Sequence, residues 1–174
     1  MLRKWWLVLP LLCLCAAPAH ALDPGKRLSQ YAHFAWRIQD GFFKGSPYAI
    51  AQTLDGYLWI GTTSELLRFD GVRFVPWHPD RGKQLPSSEV TALLAARDGS
   101  LWIGTREGLS QWKDATLVNY EIATRGGALS LLEDHSGDIW FGLFNETGVG
   151  SLCRVVGASA RCVSDADGDR KSVV

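Results

Sequence analysis

One short segment is written three times along the chain, at nearly equal spacing. The copies are residues 55–62 (DGYLWIGT), residues 98–105 (DGSLWIGT) and a looser third at 136–143 (SGDIWFGL). Their tryptophans lie 43 and 38 residues apart. Self-similarity at a period of about 40 residues is typical of repeat architectures, in which each copy is one supersecondary unit. The repeat therefore restricts the possible folds more than any other feature of the sequence.

Each copy has the pattern of a hairpin turn followed by a short strand. Asp-Gly supplies the positive φ of a tight turn, and the run after it is too short for a helix. Leu58, Trp59 and Ile60 place bulk on both faces of the first strand, so we predict small sheets covered on both sides. A glycine two residues after each tryptophan leaves room for a close neighbour. The predicted core positions of the repeat are Trp59, Gly61, Trp102, Gly104, Trp140 and Gly142.

Further strands complete each copy into a four-stranded unit. The first unit has strand patterns separated by turn signals, at 47–54, 57–60, 66–69 and 72–77. The same pattern recurs later, with a shorter loop at 124–127, and a leading strand is predicted at 34–38. Four short strands at this period predict an all-β fold of antiparallel meanders stacked as β-propeller blades. Three such units form an incomplete ring, because closed propellers need about 4–8 blades.

The amino-terminal segment has the pattern of a secretory signal peptide. Arg3 and Lys4 precede an apolar run at 5–17, and a small-x-small site ends at Ala21, so cleavage is expected before Leu22. An uncleaved anchor is the alternative. We therefore divide the chain into a signal peptide at 1–21, a lead-in with the first strand at 22–45, three repeats within 46–163 (46–85, 86–126 and 127–163) and a polar tail at 164–174.

Two cysteines are expected to form a disulfide. Cleavage removes Cys13 and Cys15 and leaves Cys153 and Cys162 as a pair in an oxidising compartment. They fall on the third and fourth strands of the third repeat, where a hairpin loop over 156–159 would place them directly opposite one another. A register slip of one residue would instead put the two sulfurs on opposite faces of the sheet.

The repeated segments resemble the two-component regulator propeller repeat. That pattern reads Asp-Gly-x-Leu-Trp-Ile-Gly-Thr and continues as Gly-Leu-x-Arg-Phe-Asp-Gly-x-x-Phe. Residues 55–62 match it fully, and residues 66–74 match the remainder, with Glu65 in place of the usual glycine. In the second copy Lys113 and Asp114 replace Asp-Gly, and in the third Leu143 replaces threonine. The resemblance covers roughly residues 34–155.

In that family such propellers are the extracytoplasmic sensing parts of hybrid histidine kinases and diguanylate cyclases. The resemblance implies a non-catalytic, periplasmic or secreted module that binds an extracellular ligand, with saccharides as candidates, and signals to downstream domains. No kinase or cyclase motif and no membrane-span pattern follows the repeats, so we expect an amino-terminal part of a longer sensor. A net charge of zero argues against a nucleic-acid partner, and no cofactor is expected.

Residues that could carry catalysis are few. The predicted mature chain contains His33, His78 and His135, and the last two fall in a loop and a turn where exposure is expected. The alternative function, a propeller lyase resembling streptogramin lyases, requires a histidine in the central channel near a carboxylate. Residues 165–169 suggest a calcium loop but are better explained as a solvated acidic tail. Trp77, beside a loop, is the candidate for stacking against a ligand ring.

Overall fold

Short strands and tight turns form the whole of the described chain. A computed structural model describes residues 35–79, 82–122, 125–145 and 150–163. The strands are β1 (Pro47–Gln52), β2 (Leu58–Thr62), β3 (Leu66–Phe69), β4 (Phe74–Pro76), β5 (Val90–Ala95), β6 (Leu101–Thr105), β7 (Gly108–Lys113), β8 (Thr116–Ile122), β9 (Gly126–Glu133), β10 (Ile139–Asn145), β11 (Gly150–Val156) and β12 (Ser159–Val163). Within these described ranges the helical element is a 3-10 turn at Ile38–Asp40.

The strands form three four-stranded antiparallel meanders in chain order. We call β1–β4 blade 1, β5–β8 blade 2 and β9–β12 blade 3. The predicted all-β architecture of propeller blades is thereby confirmed. Blades 2 and 3 also join at their outer strands, where Ser159 and Ala160 pair in parallel with Glu121 and Ile122. The two blades therefore share one eight-stranded sheet.

Meander topology sorts the connections of every blade onto two ends. The β1–β2 and β3–β4 turns, and their equivalents, lie at one end, which we call the turn face. The β2–β3 and β6–β7 turns lie at the other end, together with the segments that link one blade to the next. We call this second end the linker face. Residues from neighbouring blades meet there without belonging to one continuous stretch of sequence.

In blades 1 and 2, the glycine of the Trp-x-Gly segment lies in close contact with the first strand of the following blade. A Cβ built at Gly61 would lie 2.4 Å from Cγ1 of Val90, and one at Gly104 would lie 2.5 Å from the backbone oxygen of Ala128. At Gly142 the nearest atom is instead Oγ of Ser130, within the same blade, at 2.7 Å. The first two glycines therefore permit blade-to-blade contact.

The tryptophans of the repeat point toward the same interfaces. Trp59 is 1% exposed in an apolar cluster shared by blades 1 and 2, and Trp102 is 4% exposed in the cluster between blades 2 and 3. Trp140 is only half-buried. Its Nε1 donates to Oδ2 of Asp134 at 2.9 Å, and the Arg154 guanidinium lies over its ring. Among the described residues no blade follows blade 3, so the expectation of a core position is wrong for Trp140.

The predicted strand at 34–38 is also wrong. Phe34 lies outside the described residues, residues 35–37 have no regular structure, and the turn at Ile38–Asp40 ends at Gly41 with φ of 78°. Trp36 instead packs edge-on against Phe69 and Phe74 of blade 1, with ring centroids 5.2 and 5.5 Å away. Of the alternating apolar residues that suggested a strand, Trp36 docks against blade 1 and Ile38 begins the 3-10 turn.

The second-copy hairpin that lacks Asp-Gly still forms a two-residue turn. Lys113 pairs with Thr116, and Asp114 and Ala115 adopt positive φ of 48° and 57°. This conformation costs more for residues with a Cβ than for glycine. The Lys113 ammonium donates to Oδ2 of Asp98 at 2.8 Å, and chiefly for that reason the pKa of Asp98 is lowered to about 2. Lys113 therefore links the β7–β8 turn to the β5–β6 turn, which contains Asp98.

Cys153 lies directly opposite Cys162 across β11 and β12. Val156 pairs with Ser159, so the loop has two residues where four were predicted. Cys153 still faces Cys162, because Val156 and Ser159, which were expected in the loop, form one more pair of the same ladder. The two sulfurs are bonded, and Cys153 is fully buried in the cluster between blades 2 and 3.

We expect the exported protein to contain this disulfide, as the strand register implies. Cys162→Ala, which leaves the buried Cys153 in place, should lower the free energy of unfolding by about 2–3 kcal/mol, because the loop closed is short. Mass spectrometry of the non-reduced protein should find no free thiol in the mature chain. Ready alkylation of both cysteines under native conditions would contradict the pairing.

Candidate functional site

A cleft of about 460 Å³ opens on the linker face where blades 2 and 3 meet. It is bounded by the β6–β7 turn, the start of β9 and the end of β10. The residues that line it are Arg106, Glu107, Arg125, Gly126, Gly127, Leu129, Phe144 and Asn145. Its volume falls in the range of small-molecule sites, which is about 300–1,000 Å³. Sequence reasoning missed this cleft, because three separate segments build it.

The motif threonine of the second copy positions the β6–β7 turn. Oγ1 of Thr105 donates to the carbonyl of Gly108 at 3.1 Å and accepts from the backbone N–H of Glu107 at 3.4 Å. The backbone N–H of Arg106 donates to the carbonyl of Glu89 at 3.0 Å. Both cleft residues of the turn therefore sit on a backbone fixed by the repeat and by the linker before β5.

A pair of glycines lets the backbone strands approach closely at the base of the cleft. A Cβ at Gly126 would lie 2.5 Å from the carbonyl oxygen of Phe144, and one at Gly127 would lie 2.8 Å from that of Arg106. Side chains at either position would push the strands apart. The Gly-Gly pair is the feature of the sequence that could have indicated this close approach. The sequence pattern predicts a loop at 124–127, whereas β9 begins at Gly126.

Two arginines give the cleft a positive rim. Arg106 lies 3.7 Å from a carboxylate oxygen of Glu89, and its side chain remains 70% exposed. Arg125 is exposed, and the described residues offer it no ion pair. Glu107 is the one carboxylate that the described part of the chain contributes to the lining. No group of three or more metal-ligating side chains occurs among the described residues.

Apolar contact area borders the same opening. Phe144 is 48% exposed and Leu129 is 50% exposed, although neighbouring residues on their strands are buried. Two large apolar side chains beside two guanidinium groups can contact a ligand that has both a flat apolar side and a charged group.

A second hollow, of about 360 Å³, lies on the outward side of blade 1 and is lined mainly by apolar residues. Ile50 on this side pairs with Ile60, as Leu93 pairs with Ile103 one repeat later. Leu93 packs against the cluster between blades 1 and 2. Because Ile50 occupies the position that Leu93 has in the next repeat, we infer that the Ile50 side is a surface for packing against a blade and not a polar binding site.

The sequence-derived ligand candidate, Trp77, has a packing role. Its ring contacts Trp59 and Trp112 edge-on, with centroids 5.8 and 5.9 Å away, beside the cluster that joins blades 1 and 2. These contacts place Trp77 in the aromatic packing beside the interface of the two blades. Trp77 also lies apart from the cleft between blades 2 and 3.

The histidines are placed as expected for exposed loop residues. His78 is exposed beside Pro79, and His135 is exposed in the β9–β10 turn, on the opposite end of the blade from the cleft. The backbone carbonyl of His135 accepts from Arg97. His33 and the acidic segment at 165–169 lie outside the described residues, as do Ala21 and Leu22.

Comparison with protein families identifies the repeat. Residues 84–107, which contain β5 and β6, match the family model described as Two component regulator propeller. The second copy is similar to a two component regulator propeller repeat. This match confirms the resemblance seen in the repeated segments. No curated protein sequence matches the chain.

Solved structures share the arrangement of the propeller repeats. One is described as the extracellular domain of the hybrid two component system BT3049 from B. thetaiotaomicron; the TM-score is 0.52 at 22% identity, over 64% of this chain and 17% of that one. Two structures of the BT4673 extracellular domain, from the same organism, give TM-scores of 0.50 and 0.56 at 20% and 17% identity. They cover 62% and 70% of this chain, and 16% and 19% of theirs.

These likenesses show the fold, and the chain spans less than a fifth of each matched structure. Within the ranges that the structure describes, no helix is both long and apolar enough to cross a bilayer.

Proposed function

We propose that this chain is part of the ligand-sensing propeller of an extracytoplasmic receptor, of the two-component or cyclic-di-GMP signalling kind. The observation that carries the proposal is the family match at residues 84–107, within a chain whose described residues form stacked blades. The matched structures are described as extracellular domains of such systems, which supports the same role. The output domains would belong to a longer protein or to a partner.

The cleft on the linker face is the proposed ligand site. It is open to solvent, it has the volume of a small-molecule site, and it combines charged and apolar side chains. It also joins two blades through Gly127, whose backbone lies against that of Arg106. A ligand bound there would contact both blades and change the free energy of their packing, which is how binding could reach a downstream domain.

Binding without catalysis is the second part of the proposal. A propeller lyase would need a histidine with a carboxylate in reach within a central channel. His78 and His135 are exposed, and neither lines the cleft.

Export of the chain is expected to remove residues 1–21. The basic start, the apolar run and the site ending at Ala21 together support cleavage before Leu22. When the chain is expressed with its own leader in a Gram-negative host, mass spectrometry of the periplasmic protein should find Leu22 as the first residue. A chain that starts at Met1 and stays in the membrane fraction would contradict this.

A thermal-shift screen of the exported chain tests the proposed function. Neutral sugars, sugar acids and small carboxylates at saturating concentration should include compounds that raise Tm, since a ligand that binds only the folded state stabilises it by mass action. At 100 times Kd the gain is about 2.7 kcal/mol. Phe144→Ala, which removes a half-exposed apolar side chain from the cleft, should reduce the shift strongly, whereas Val72→Ala, at an exposed residue on the turn face, should preserve it. Equal shifts in both variants would reject the cleft as the site.

A further inference from the structure

We propose that the cleft recognises an organic anion of the sugar-acid class, a ring that carries a carboxylate. This inference rests on the proposed ligand-sensing function and adds the chemistry of the ligand. It is carried by the pairing of two arginines with two exposed apolar side chains around one opening.

The charge of the cleft selects an anion. Two guanidinium groups line it, and the described carboxylates near them are Glu107 in the lining and Glu89, which lies 3.7 Å from Arg106. Arg125 is exposed and has no ion pair among the described residues, so we assign the contact with the ligand's anionic group to it. A guanidinium matches the geometry of a carboxylate through two parallel hydrogen bonds. Arg106 keeps Glu89 at 3.7 Å, longer than a hydrogen bond, and can turn toward a stronger acceptor.

The apolar residues of the cleft select a ring rather than an inorganic ion. Phe144 and Leu129 leave about half of their surface exposed at the same opening. Burying that area against the apolar face of a ring is favourable at roughly 25 cal/mol per Å², and a bare sulfate or phosphate gains nothing from it. A volume of about 460 Å³ suits one or two sugar units, so the ligand is compact.

The composition of the cleft argues against cation binding. Hard cations such as Ca²⁺ take six to eight oxygen ligands, most of them from carboxylates and carbonyls. Among the described residues Glu107 is the one acidic side chain in the lining, and it directly follows Arg106 in the sequence. Neutral sugars would gain from Phe144 but would offer no charged group to Arg125, which has no ion pair among the described residues.

Isothermal titration of the exported chain with matched pairs of sugars tests the inference. The probes are D-glucuronate and D-galacturonate, with D-glucose and D-galactose as neutral controls that differ only at C6. We expect at least one acid to bind about tenfold or more tightly than its neutral partner, because hydrogen bonds to charged groups contribute more than neutral ones.

Two variants at Arg125 separate charge from shape. Arg125→Gln should weaken binding of the acid about tenfold and leave the neutral sugar unchanged, and Arg125→Lys should restore part of the affinity. Arg73→Gln, on the exposed turn at the other end of blade 1, is the matched control and should bind normally. Circular dichroism spectra of all variants check that they are folded.

The remaining outcomes each decide against the inference. Equal binding of acid and neutral sugar would overturn the anion assignment, while the proposed sensing function would stand. Binding of inorganic sulfate as tight as that of the acids would mean an adventitious ion only. Failure of both acids, with shifts by other compounds in the thermal screen, would overturn the sugar-acid class alone. Failure of the whole screen would count against the proposed function itself.

Discussion

Replacing Trp102 by alanine should lower the free energy of unfolding by about 3–5 kcal/mol, the usual cost of removing a buried tryptophan. Trp102 is 4% exposed, and its ring packs against Tyr120 with centroids 5.0 Å apart. It belongs to the cluster that joins blades 2 and 3, so its loss should loosen their contact. Urea unfolding followed by circular dichroism measures the change.

Trp140→Ala is the matched control for that measurement. The same motif position in blade 3 is half-buried and is held by a polar contact to Asp134, so we expect a smaller cost, of about 1–2 kcal/mol. Equal costs for the two substitutions would contradict the interface that we assign to Trp102. A Trp102→Ala protein with unchanged stability but no ligand binding would do so as well.

Gly104→Ala should destabilise the protein by about 2–3 kcal/mol. The new methyl group would lie 2.5 Å from the carbonyl oxygen of Ala128, a backbone atom that cannot move aside without shifting β9. Overpacking of this kind usually costs about 1–3 kcal/mol. Urea unfolding curves of the variant and the parent protein give the change in the free energy of unfolding.

Gly142→Ala tests whether the cost comes from the neighbouring blade. Its methyl group would meet only the exposed Ser130 hydroxyl of its own blade, which can rotate away. Since alanine is about 0.5–1 kcal/mol better than glycine inside a strand, the effect should be near zero or stabilising. A Gly142→Ala cost as large as that of Gly104→Ala would show that the glycines serve the strand itself and not the contact between blades.

The blades could be predicted because their determinants are local. A glycine with positive φ at positions 56, 71, 99 and 137 fixes four of the tight turns, and the run after each has the length of a strand. The register of the last hairpin followed from the same reasoning, although the loop proved two residues shorter than expected. Sequence periodicity and turn chemistry act over a few residues, so one chain suffices to read them.

The errors came from contacts between distant residues. Apolar residues around Trp36 alternate as in a strand. The Trp36 ring instead packs against Phe69 and Phe74, which only the folded blade brings close to it. Trp140 repeats the motif of Trp59, yet its burial depends on whether another blade covers it. Trp77 lies outside the repeated Trp-x-Gly segments, so the sequence suggests a ligand contact for it. In the structure its ring packs edge-on against Trp59 and Trp112.

The cleft lay beyond sequence reasoning for the same reason. Arg106 follows β6, Arg125 precedes β9 and Phe144 ends β10, so the chain separates residues that the linker face brings together. In the linear sequence these arginines look like ordinary exposed charges. Only the close approach of the Gly127 backbone to that of Arg106 shows that the two blades frame one opening.

The most direct test of a non-catalytic, ligand-binding propeller is an NMR titration of the ¹⁵N-labelled exported chain with a compound that raises its Tm. We predict shift changes at the amides of Glu107, Gly126 and Gly127, while the ligand's own proton signals keep their number and area overnight. Shift changes centred on the turn face near His135, or new ligand signals from a cleaved product, would contradict the account.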